Sequence, residues 1–77
     1  MPQNITLDVR PMPPWERHPK IMELFDSLGA GDTLTIVNDH DPRPLHYQFM
    51  HEREGQFQWE SQERSPQEWV ASIKKVK

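Results

Sequence analysis

Two short polar stretches hold the side chains that could do chemistry. One is Asn38-Asp39-His40-Asp41-Pro42-Arg43-Pro44, and the other is Glu16-Arg17-His18. Imidazole beside carboxylate is a set suited to holding zinc, nickel, copper or iron(II). Guanidinium groups add fixed positive charge that suits an anion or a carboxylate ligand. His18, His40 and Asp39 are therefore the candidate metal ligands, and a transition metal is the cofactor they would take. The spacing itself carries no recognised ligand pattern, since there is no cysteine pair and no His-x-x-x-His. His46 and His51 sit five residues apart, and at ~100° per residue they point roughly 140° apart around a helix. No nucleophile and base stand out together, and Gly29-Ala30-Gly31 reads as a helix stop rather than a phosphate loop.

Each of these residues also has a structural role to fill. Asp41 is a good N-cap with Pro42 at the first helical position. His40 lies between two aspartates, which favour its charged form and an ion pair. His18 suits a helix start, with its imidazole bonded to nearby backbone. Asp8 and Arg10 read as a surface pair on a strand. Trp59 and Trp69 read as cross-strand partners. Trp15 follows two prolines, as a packed staple or as an exposed contact.

Periodicity supplies the elements that must position these groups. Ile5, Leu7 and Val9 alternate with polar residues, which predicts a first strand. Pro11-Met12-Pro13-Pro14 ends it, because proline cannot donate to a sheet ladder. Ile21, Leu24, Phe25 and Leu28 form one helical stripe. Pro19 is placed in the first turn of that helix, so the helix is expected to begin near Glu16 to His18. Asp32 to Val37 reads as the second strand. A second helix follows Asp41, turns Leu45, Phe49 and Met50 inward, and ends near Glu54-Gly55. Phe57 and Trp59 mark a third strand. After a turn at Ser65-Pro66-Gln67, the residues Trp69, Ala71 and Ile73 mark a fourth.

The order is β-α-β-α-β-β. The expected fold is an α/β (α+β) two-layer sandwich, with a four-stranded mixed sheet and two helices on one face. Residues 1–77 read as a single domain with its core at about 5–74. In a parallel β-α-β unit the loops after the first two strands lie at the same end of the sheet. Glu16, Arg17 and His18 should therefore meet Asn38, Asp39, His40, Asp41 and Arg43 at one corner, where open sheets tend to bind ligands and helix N-termini add positive potential.

Composition excludes several function classes. The chain has no cysteine, which removes disulfides, thiolate metal sites, persulfide carriage and cysteine nucleophiles. A net charge of −3 and a pI near 5.7 oppose nucleic-acid binding. No apolar run approaches the ~20 residues that span a bilayer. Pro2-Gln3-Asn4 and the residues after them form neither a basic n-region nor an apolar h-region, so a cytoplasmic location is expected.

Several strings together resemble a known family. They are Leu7-Asp8-Val9-Arg10, Pro14-Trp15-Glu16-Arg17-His18-Pro19, Phe25-Asp26-Ser27-Leu28, Asn38 through Leu45, Gln48, and Gly55-Gln56-Phe57-Gln58-Trp59. The chain resembles the bacterial domain-of-unknown-function family twenty-two forty-nine over about residues 6 to 74. That resemblance implies the two-layer fold of the TusA sulfur carriers. It also implies an association with hemerythrin-like modules and redox or nitrogen-oxide physiology. TusA carriers hold a persulfide on a Cys-Pro pair at the start of the first helix. The equivalent position here is about Pro14, so TusA-type sulfur transfer is not expected.

The reading that results is a binding or accessory module rather than an enzyme. Its surface is the corner of Glu16, Arg17, His18, Asn38, Asp39, His40, Asp41 and Arg43, and its ligand is a protein partner or a small anion. The alternative is a metal-binding domain with a redox or metal-delivery role.

Overall fold

The structure, a computed structural model, describes residues 2–77. Its elements are β1 (Asn4–Asp8), α1 (Pro14–Ser27), β2 (Thr33–Asn38), α2 (Arg43–Glu52), β3 (Phe57–Ser65) and β4 (Glu68–Lys75). They form one mixed sheet in the order β1-β2-β4-β3. β1 runs parallel to β2, and β4 runs antiparallel to both β2 and β3. β1, β2 and β3 therefore share one direction, and both helices return the chain against it. The fold is α+β, with the element order that periodicity predicts.

Alternation decides which face of the sheet is covered. Leu34 and Ile36 of β2 and Ala71 and Ile73 of β4 are buried. They meet Ile21, Phe25 and Leu28 of the first helical stripe and Leu45 and Phe49 of the second in one apolar cluster. Phe25 and Phe49 touch edge to face at 5.0 Å between centroids, an arrangement aromatic quadrupoles favour. The opposite face, which includes Thr6, Thr35, Gln58, Glu60 and Lys74 around the paired Val37 and Val70, is mostly polar and has no helix over it. Among the described residues no helix is long and apolar enough to cross a membrane.

Helix starts depart from the sequence reading. α1 begins at Pro14, and Pro19 lies inside it rather than in its first turn. Pro14 occupies the first helical position, where its fixed φ is already helical and its missing N–H costs nothing. That start makes Pro19 the cause of one lost bond, to the carbonyl of Trp15 four residues back. α2 begins at Arg43 with Pro42 as its N-cap residue. Asp41 is thus one position too early to be the N-cap. Its carboxylate still accepts the Arg43 N–H at 3.0 Å, as an aspartate turn does.

Three other expectations are corrected. Met50 is exposed, not turned inward. Trp59 lies opposite Ile73 and Trp69 opposite Glu63, so the two tryptophans are not cross-strand partners. Trp59 instead stacks on His46 of α2, with centroids 4.5 Å apart and planes within 3°. The third strand is also longer than two aromatics indicate, because Glu60 to Ser65 continue it with no apolar residue.

Candidate functional site

The two polar stretches meet, and Arg17 joins them. Arg17 stands in the first turns of α1, and a helical side chain leans back over the turn before it. Its guanidinium therefore reaches the loop that precedes the helix. Nε donates to the Met12 carbonyl at 2.9 Å and Nη2 to the Arg10 carbonyl at 3.1 Å. The same group crosses to the loop after β2, where Nη1 donates to Asn38 Oδ1 and to Asp39 Oδ1, each at 3.1 Å. Nη2 also reaches Asp39 Oδ2 at 3.4 Å. The Arg17 side chain is only 10% exposed. It is committed to holding the corner together and does not present a free charge to a ligand.

Asn38 and Asp39 complete the join. Asn38 is buried, and its Oδ1 accepts the Asp39 N–H at 2.8 Å as well as Arg17. Asp39 Oδ1 accepts from His40 Nδ1 at 2.7 Å. The Arg17 guanidinium first, and the His40 imidazole second, hold the Asp39 carboxyl below the usual carboxylate range. An ionised carboxylate only accepts, so Nδ1 of His40 is the donor in this bond. The His40 side chain is 64% exposed.

The remaining predicted residues point elsewhere. His18 Nδ1 bonds Gln48 Oε1 at 2.8 Å, so His18 ties α1 to α2 instead of bonding backbone or joining His40. Among the described residues, no group of three His, Cys, Asp or Glu side chains could hold a metal ion. His18, His40 and Asp39 are not gathered into one ligand set. Asp41 and Arg43 pair with each other at 2.7 Å at the exposed start of α2, and Asp8 and Arg10 pair at 2.7 Å beside the first loop. The Arg10 bonds draw the Asp8 carboxyl down to about 2. Glu16 is exposed near the N-terminus of α1, where the helix dipole favours a negative charge.

Electrostatics follow from this pairing. Asp8, Asp39 and Asp41 neutralise the three guanidiniums of the corner. Glu16 adds a further negative charge. A small anion finds no unmatched arginine here. What the corner does present is a fixed polar relief beside an apolar one. Trp15 is 76% exposed, and with Met12, Glu16, Pro19, Lys20 and Glu23 it lines a shallow groove along α1. Tyr47 is exposed on α2.

Some of this lay outside motif reading. Two of the acceptors of Arg17 are backbone carbonyls, which no residue type announces. Gln48 as the partner of His18 depends on how the helices sit side by side. Trp15 is exposed, which decides between the packed and exposed alternatives that the sequence left open.

No curated protein and no solved structure matches the chain. A family described as "Uncharacterized conserved protein (DUF2249)" matches residues 6–75. The matched stretch takes in both loops of the corner and every element except the first two residues of β1, and the chain belongs to that family.

Proposed function

We propose that this chain is a non-catalytic binding or accessory module. Its working surface is the corner where the loops after β1 and β2 meet, and its ligand is a protein partner. The observation that carries this reading is the Arg17 clamp. It fixes both loops before any ligand arrives, so binding does not cost the ordering of either. On that fixed base His40, Asp41, Arg43 and Glu16 supply polar contacts, and exposed Trp15 supplies the aromatic anchor that interface centres favour. The internal pairing of arginines with aspartates favours a partner protein over a small anion.

A photo-reactive residue at position 40 or 15, in cells that make the protein, is expected to crosslink one defined protein. The same residue at position 35, on the open sheet face, should not. Crosslinking of the same protein from all three positions, or from position 35 alone, contradicts the reading.

The Asp39–His40 pair supports a second reading. Metal-ligating histidines commonly donate their other nitrogen to a carboxylate. That reading places a transition metal on His40 Nε2, with His18 recruited from Gln48. Titrating chelator-stripped protein with zinc, copper and nickel tests it by NMR. Saturable shifts of His18 and His40 together at one equivalent support it, and their absence removes it.

A further inference from the structure

β3 is an end strand of the sheet, so one of its sides has no neighbour. It is the longest strand, and every residue from Glu60 to Ser65 is exposed. Exposure holds on both faces there, at Ser61 and Glu63 on the helix side and at Glu60 and Gln62 on the open side. Among the described residues this stretch is left uncovered by the helix layer. A long unpaired edge is a template for another strand.

The stretch is also self-complementary. Glu60, Gln62 and Arg64 lie together on the open face, beside Val70 and Ser72 of β4. Arg64 is the extra residue of a bulge between Glu63 and Ser65, where pairing with β4 shifts register. Neither Glu60 nor Arg64 takes part in an ion pair among the described residues. We propose that the free edge of β3 docks a second copy of this chain, strand to strand and antiparallel, about a two-fold axis at Gln62. In that register Glu60 of each copy faces Arg64 of the other, Gln62 faces itself, and Ser61 faces Glu63. No like charges are opposed. Centring the axis on Ser61 instead sets Gln58 against Arg64 and forms no ion pair. A two-fold axis normal to the sheet keeps both helix layers on one side and gives a continuous eight-stranded sheet. Main-chain hydrogen bonds supply the attraction, and the paired charges select the register.

Sedimentation over a concentration series tests this on the full chain as wild type, E60R, R64E and the double variant. All substituted positions are exposed, and circular dichroism checks that each variant is folded. The wild type is expected to pass from monomer to dimer. Each single reversal should weaken association at least about tenfold, a step of about 1.4 kcal/mol, and the double variant should recover it. Amides of β3 should gain hydrogen-exchange protection as dimer forms. A wild type that stays monomeric throughout overturns the proposal. So does a dimer indifferent to the single reversals, which would place the contact on another surface.

Discussion

Arg17 does for the corner what neither loop does for itself. One planar group satisfies two carbonyls of the first loop and the Asn38 and Asp39 side chains of the second. Arg17→Met should therefore leave buried acceptors unpaired, and should cost about 2–3 kcal/mol in urea unfolding. Arg17→Lys should recover little of this, because a single ammonium cannot span the fork. His40→Ala removes a side chain that is 64% exposed, and should shift stability by less than about 0.5 kcal/mol. Acid should act through the carboxylates. Two backbone N–H groups, from Gln3 and Gly29, hold the Asp32 carboxyl below its usual value, and Arg17 holds Asp39 down. Depressed carboxyls contribute stability that is in place above the unfolded value of about 3.9 and is lost as pH falls through the folded value. The urea midpoint should therefore fall as pH drops below about 4, and Asp32→Asn should flatten that fall. At this scale the sequence pointed to Arg17, Asn38 and Asp39 but missed Arg10 and Met12 and misjudged what Arg17 does. Residue type shows that a guanidinium needs acceptors and cannot show that backbone supplies two of them.

Three contacts hold α1 and α2 side by side. His18 bonds Gln48, Phe25 meets Phe49, and Arg53 pairs with Asp26 at 2.7 Å. The apolar contact should dominate. Phe49 is fully buried among Phe25, Phe57 and Trp59, and Phe49→Ala should cost about 3–5 kcal/mol in thermal or urea unfolding. Arg53→Ala breaks a partly exposed surface pair and should cost about 1 kcal/mol or less. Both helices were legible from their apolar stripes at three- and four-residue spacing. Their starts were not. Pro19 alone argued for a late start of α1, whereas Pro14 at the first helical position outweighs it. Pro42 rather than Asp41 is the cap residue, and the Asp41 carboxylate reaches the Arg43 N–H from one residue further out.

Across the whole molecule, topology is what makes a site possible. The parallel pairing of β1 with β2 brings the first turns of both helices to one end of the sheet. That much followed from the β-α-β pattern, and the contact of Arg17 with Asn38 and Asp39 followed from it in turn. The finer arrangement of His18 toward Gln48, rather than His40, depends on the relative placement of the helices, which periodicity does not encode. The polar run of Glu60 to Ser65 was likewise silent, because a strand with no buried face has no apolar alternation to betray it. The central claim is that the Arg17-fixed corner, and not the open sheet face, holds a partner protein. The most direct measurement is the affinity of the partner captured at position 40 for wild type, for Trp15→Ala/His40→Ala and for Thr35→Lys, by calorimetry. The claim predicts a loss of at least about tenfold, or about 1.4 kcal/mol, for the corner variant and no change for the open-face variant. Equal affinity for wild type and the corner variant, or a loss confined to Thr35→Lys, would contradict it.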